Sequence, residues 1–295
     1  MKVAACKYPV GAPRSFEEFA GKQASLVAEA ARAGAEVVVL PEYLSLELAA
    51  TFDDAIRADL HASLAALQVY RMQWLALFSG LARTHGLSLV AGSFLLAHGD
   101  AGRYRNRSDW FAPTGMHGWQ DKLQLTGFEK ATDVIEGGDA LQVFETGEVR
   151  AGISVCYDCE FPLPVRAQQQ AGARLLLVPS CTDTAAGATR VRIGCLARAL
   201  ENRIFVAQSV TTGAAPWSPA LDVNTGEAAI YAPMDVDLPA DGILVQTQGN
   251  EVWAVADLDF RALEASHVQA QVANDRDWSA QLAPAITRAQ LFTRK

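Results

Sequence analysis

A chain of 295 residues, 50% hydrophobic and 20% charged, can bury a substantial core, which excludes a disordered or low-complexity protein. The formal net charge is −8 and no block of Lys or Arg occurs, so a nucleic-acid or anionic-membrane partner is not expected. The opening MKVAACKYPV lacks the pattern of a secretory leader, apolar runs are strand-length, and five irregularly spaced cysteines read as free thiols, which together predict a cytoplasmic protein.

Residues 2–8 read as a strand, 16–33 as an amphipathic helix closed by Gly34, and 36–40 as a buried strand ending at Pro41-Glu42. A long helical stretch is predicted over 53–85, then a strand over 88–94. Strands follow over 104–112 and 118–123, with Gly115 between them, and over 149–155. A helix over 161–171, a strand over 174–178, a helix over 190–202 and a strand over 204–209 continue the alternation. The tail adds strands over 228–231 and 252–257, then a helix from Phe260. Strands followed by helices predict sheets covered by helices, and the back-to-back strands of 104–123 make the sheets mixed. No linker, repeat or low-complexity tract interrupts the pattern, so one α/β domain over 1–295 is expected.

In α/β proteins, functional side chains gather beyond the carboxyl ends of strands. Glu42, Lys122 and Cys156 each stand at such an end. A lone Glu or Lys is usually a solvated charge, and a Cys after an apolar strand is usually packing. Cys156 stands out because it lies between a strand and a helix opening near Phe161-Pro162, where the helix amino end favours an anion. A free thiol is mostly protonated at neutral pH, so a nucleophilic cysteine needs such help. The backbone N–H of Tyr157 is positioned to serve as an oxyanion donor.

Other chemistries have less to stand on. The five histidines show no HxxxH or HxH spacing for a metal. Cys156 and Cys159 form a CxxC without a second pair, and no GxGxxG, GxxxxGK[ST] or GxSxG occurs. A Cys–His dyad stays open, although no histidine occupies an obvious strand end.

Several short stretches, in order, resemble the nitrilase, or carbon–nitrogen hydrolase, superfamily. They are Leu40-Pro41-Glu42-Tyr43, Asp121-Lys122-Leu123-Gln124-Leu125, and Ser154-Val155-Cys156-Tyr157-Asp158-Cys159-Glu160-Phe161-Pro162. Gly172-Ala173 leading to Pro179-Ser180, and Arg198-Ala199-Leu200-Glu201-Asn202-Arg203, complete the set across nearly the whole chain. No single stretch is distinctive; the order is.

The resemblance implies a four-layer α-β-β-α sandwich and a Glu42–Lys122–Cys156 triad, with Glu129, seven residues after the lysine, in support. It implies a general base in Glu42, a cationic stabiliser in Lys122 and a thioester on Cys156, with no metal or organic cofactor. Gln124 stands where many relatives carry histidine, which bears on substrate detail. Cys159 and Cys181 are read as packing residues, and Arg166 as a structural partner of a carboxylate. Trp110, Trp119, Trp217 and Phe128 either shape the pocket or fill the core.

The Cys-Tyr-Asp context resembles amidase branches, so the expected reaction converts a small carboxamide into an acid and ammonia. Nitrile or N-carbamoyl hydrolysis by the same mechanism is the alternative, as is a non-catalytic binding member of the fold. Acyl transfer by membrane-anchored relatives does not fit a chain without membrane-spanning runs. A homodimer or larger homo-oligomer is expected by resemblance.

Overall fold

The computed structural model describes residues 1–99, 102–284 and 287–291. Its organising element is the strand Lys2–Pro9, which changes partners along its length. Val3, Ala4 and Ala5 run parallel to Val37, Val38 and Val39, and antiparallel to Ala256, Val255 and Ala254. Lys7, Tyr8 and Pro9 instead run parallel to Val210, Thr211 and Thr212. Two sheets are thereby joined through one strand.

The first sheet continues from Val37–Leu40 to Ser88–Ala91 in parallel, then to Arg103–Phe111 and Phe94–His98 in antiparallel pairing. His117–Asp121 also lies antiparallel to Arg103–Phe111. The second sheet runs in parallel from Phe205–Ala214 to Ala173–Ser180 to Val149–Ile153, and Val143–Thr146 closes its edge antiparallel. The sheets are mixed, as the back-to-back strands predict.

Alternating side chains along each strand point to opposite faces. Val3, Ala5, Val37, Val39 and Val90 share one apolar cluster with Ala151, Ile153 and Leu176 of the second sheet. Their neighbours Ala4, Cys6, Val38, Leu40 and Leu89 meet Phe19 and Val27 of helix Phe16–Arg32 and Trp74 and Phe78 of helix Arg71–His85. Both faces are covered, which is why Val37–Leu40 is apolar throughout instead of alternating. Beyond the second sheet, helices Pro162–Gln170 and Ala185–Asn202 contribute Val165, Val191, Cys195 and Ala199. The layers are helix, sheet, sheet, helix. Each large apolar side chain buried in them contributes roughly 1.5–3 kcal/mol.

Some elements depart from expectation. The stretch 53–85 is not one helix: Asp53 and Asp59 cap two short helices, Asp54–Arg57 and Leu60–Leu67, before Arg71–His85. These side chains accept the N–H groups of Ile56 and Ala62, so each restarts the helix. The strand predicted over 88–94 is two strands split at Gly92, whose φ is +64°. A Cβ there would stand 2.1 Å from the Pro41 carbonyl oxygen, so only glycine lets the loop beyond Leu40 pass. The helix predicted from residue 190 begins at Ala185, where Thr184 accepts the N–H of Gly187.

Candidate active site

The segments that follow three strands converge on one pocket of about 430 Å³. Glu42 enters from the first sheet. The loop that carries it is pinned through Ser93, whose Oγ accepts from Tyr43 N at 2.8 Å and whose carbonyl accepts from Ser45 N at 3.1 Å. Tyr43 is left-handed, φ +60°, which turns the chain sharply just after Glu42. The second sheet reaches the same loop, since Thr211 Oγ1 donates to the Glu42 carbonyl at 3.1 Å.

Lys122 follows strand His117–Asp121, with its N–H donating to the Asn106 carbonyl at 2.9 Å. Its ammonium, 1% exposed, lies 2.8 Å from Glu42 Oε1 and 2.8 Å from Glu129 Oε2. Glu129 belongs to the short helix Gly127–Ala131 and closes a capping box with Thr126. Its Oε2 accepts from Thr126 N at 2.9 Å and Thr126 Oγ1 at 3.1 Å, and its Oε1 accepts from the Tyr43 hydroxyl at 2.8 Å.

Cys156 leaves strand Val149–Ile153 in a left-handed conformation, φ +49°, at the head of the tight turn Cys156–Glu160. Such a conformation costs a non-glycine residue about 1–3 kcal/mol and aims the side chain out of the strand direction. Its thiol is 5% exposed and donates to the Cys181 carbonyl at 3.6 Å. The first hydrogen bond of the turn runs from Asp158 N to Val155 O, so the N–H of Tyr157 precedes it. Tyr157 lines the pocket, and its ring meets Phe161 edge-on.

The charges are set by burial and pairing. Burial works against the Lys122 ammonium, but Glu42 and Glu129 outweigh it and hold the pKa above its usual value. The two carboxylates are pushed apart. Burial raises Glu42, with Lys122 pulling down and Glu129 pushing up. Glu129 is also opposed by burial, yet Lys122, Thr126 and Tyr43 bring it below the usual range. Burial, then the charge of Glu42, raises the Cys156 thiol, and Lys122 opposes them. Both shifts favour the protonated forms of Cys156 and Glu42, with Lys122 pulling against each.

All five residues singled out from the sequence are therefore near one another: Glu42, Lys122, Cys156 and Tyr157 line the pocket, and Glu129 lies behind Lys122. Phe128 lines it too, whereas Trp110 stacks on Phe144 in the core and Trp119 lies under the Arg107 guanidinium. Arg166 donates to the Asp275 backbone carbonyl at 2.7 Å and lies over the Trp278 ring, in place of the expected carboxylate partner. Cys159 packs against helix Ala185–Asn202, but Cys181 lines the pocket. Among the described residues no group of three or more His, Cys, Asp or Glu is arranged to hold a metal ion.

Two residues escaped the sequence reading. Asn106 Nδ2 donates to Glu42 Oε1 at 2.9 Å and to Glu129 Oε1 at 3.3 Å, bridging the carboxylates from mid-strand. Asp158 accepts backbone N–H groups from the segment after Lys122. The only sequence signal for either is a polar residue at a position that the strand pattern or the turn buries.

The family model for carbon–nitrogen hydrolases matches residues 2–241. A probable hydrolase of Bacillus subtilis, YhcX, is 29% identical over 280 residues, which is 94% of this chain and 53% of that protein. The chain thus spans about half the length of that relative. The omega-amidase NIT2-B of Xenopus laevis is 24% identical over 263 residues, 86% of this chain and 88% of its own. Among solved structures, an amidase from Nesterenkonia sp. superposes with a TM-score of 0.67 at 24% identity, covering 94% of this chain and 96% of that one.

Proposed function

The chain belongs to the carbon–nitrogen hydrolase family, and from this we propose that it hydrolyses a small carboxamide to a carboxylic acid and ammonia through a thioester on Cys156. One observation carries the reading: a buried ammonium held at 2.8 Å by two carboxylates of opposite pKa tendency, in the pocket that Cys156 lines. Pairs of groups pushed apart in this way mark acid–base roles. A cavity of about 430 Å³ is at the small end of ligand sites and supports a small substrate.

Glu42, whose burial strengthens it as a base when ionised, takes the thiol proton as Sγ attacks the amide carbon. Lys122 and the Tyr157 N–H stabilise the oxyanion that develops. Glu42 then returns the proton to the departing nitrogen and ammonia leaves. Water, deprotonated by Glu42, attacks the thioester; the C–S bond breaks, Glu42 returns the proton to Sγ and the acid is freed. Glu129 keeps Lys122 in place and takes no proton in this sequence. The amidase branch is supported by the omega-amidase relative, and by a structure of a glutamate-to-glutamine mutant of the Nesterenkonia amidase showing the result of Michael addition of acrylamide at its active site cysteine. Free thiols support a reducing, cytoplasmic setting.

Ammonia release over a panel of amides, nitriles and N-carbamoyl amines tests the reading. Release from short amides is expected, with none from Cys156→Ala in a protein of unchanged fold. Release from nitriles alone would move the assignment to that branch; release from none would favour a binding role.

A further inference from the structure

Lys122 can serve Cys156 only if two segments distant in sequence stay in register. Lys122 follows strand His117–Asp121, and Cys156 opens the turn Cys156–Glu160. Among the described residues, the hydrogen bonds joining residues 117–131 to 153–161 all end on one side chain. Asp158 Oδ1 accepts from Gln124 N at 2.6 Å and from Leu123 N at 3.2 Å, and Oδ2 accepts from Leu123 N at 3.0 Å. Asp158 is 2% exposed and stands two residues after Cys156; its donors stand one and two residues after Lys122.

Cys156 is left-handed, and the bonds Asp158 N to Val155 O and Phe161 N to Asp158 O brace the turn itself, while its thiols reach the Cys181 and Val191 carbonyls; among the described residues only Asp158 reaches the Lys122 segment. A charged acceptor facing two backbone N–H groups is stronger than a neutral one. A protonated carboxyl would turn an O–H toward one of those N–H groups, so the brace weakens when the charge is lost.

We propose that Asp158 is a positioning residue that locks the nucleophile turn to the Lys122 segment, and that the lock engages only with its carboxylate ionised. The proposal rests on the reading of Cys156 as nucleophile. Burial pushes the Asp158 carboxyl up to about 6, against the amides of Leu123 and Gln124, with Lys122 pulling down and Glu42 pushing up. Of the other charged groups on the elements packed around the turn, Glu160 pairs with Arg190, Arg198 with Glu201, Arg174 with Glu264 and Arg166 with the Asp275 carbonyl, and Arg192 is exposed. The thiols of Cys159 and Cys195 face each other. The lock therefore engages as pH rises through the neighbourhood of 6 and releases below it.

The test uses the full chain and Asp158→Asn, which keeps the shape and removes the charge. Two rates are followed from about pH 5 to about pH 8: alkylation of Cys156 by iodoacetamide, read by peptide mass mapping, and amide hydrolysis, split into kcat and KM. In the wild type both rates should show an inflection near pH 6, where the Asp158 carboxylate forms. In Asp158→Asn the inflection should vanish, and kcat should fall about tenfold to a hundredfold with KM little changed, as small misplacements of reacting groups do. A wild-type alkylation profile without that inflection, or an Asp158→Asn protein that retains it, would overturn the lock. Should Asp158→Asn fail to fold, the wild-type profile and Asp158→Glu, which keeps the charge and the inflection, decide the question. Because alkylation needs no substrate, an intact inflection with no amide turnover would refute the amidase reading and leave the lock standing.

Discussion

Glu129→Gln should cost more fold stability than Glu42→Gln, although both carboxylates hold the same ammonium. Glu129 receives Lys122 Nζ, Thr126 N and Thr126 Oγ1 on Oε2, and the Tyr43 hydroxyl and Asn106 Nδ2 on Oε1. A glutamine has one acceptor oxygen, so donors on one side or the other must face an NH₂ group. Breaking a buried ion pair costs about 3–5 kcal/mol, and because Lys122 keeps Glu42 the lower end applies. Weakening the cap adds about 1 kcal/mol, for a total near 4. Glu42 presents a different case. Its two nitrogen donors, Lys122 and Asn106, share Oε1, which a glutamine oxygen can replace. Burial also disfavours its charge, so Glu42→Gln should cost about 1 kcal/mol or less while turnover is lost.

Urea unfolding at neutral pH, followed by tryptophan fluorescence and ammonia release together, separates the two effects. The pH dependence gives a second check. A depressed carboxylate contributes stability that is complete above its unfolded pKa of about 4.3 and is lost as pH falls through its folded value. The deficit of Glu129→Gln should therefore shrink in acid. Equal stabilities for the two variants, or a larger loss for Glu42→Gln, would refute the reasoning.

Asn106→Ala removes the amide that bridges both carboxylates and should cost about 1–3 kcal/mol together with a fall in kcat; unchanged kinetics would show that the bridge is idle. Gly194→Ala would place a Cβ 2.9 Å from Cys159 Sγ and 3.0 Å from its carbonyl oxygen. It should cost about 1–3 kcal/mol and slow turnover by displacing the nucleophile turn, as urea titration and kinetics would reveal. Iodoacetamide should modify Cys156 first and Cys181, in the same pocket, second, while Cys6, Cys159 and Cys195 stay protected until unfolding. Early modification of any of those three would count against the geometry.

The strand ends were legible because an apolar run stopping at Pro41-Glu42 or before Cys156 leaves its next side chain at the edge of a sheet. The partnership of Glu42, Lys122 and Cys156 came from the ordered resemblance, since nothing local says that positions so far apart meet. Glu129 was legible as a spacing, yet its capping box with Thr126 shows why that spacing works: the same turn that starts the helix points the carboxylate at Lys122. Asn106 was hidden because its role depends on strand register, and the pairing of Leu95 with Asn106 is written in no local pattern. Asp158 was hidden because an aspartate in a turn is ordinarily read as a cap for its own turn, whereas here its acceptors serve another segment. The splitting of the strand at Gly92 answers to a close approach by Pro41, which again only tertiary contact reveals.

The sharing of strand Lys2–Pro9 between the sheets has a consequence for how the protein comes into being. Glu42 and Lys122 belong to the first sheet and Cys156 to the second, and the sheets meet where Lys7–Pro9 pairs with Val210–Thr212. A growing chain therefore carries Cys156 before the pairing that sets it against Glu42. Closure across some two hundred residues is slow and comes late, because loop-closure entropy precedes any reward from the contact. The meeting of Cys156 with Glu42 and Lys122 and the completion of the fold therefore arrive in one event.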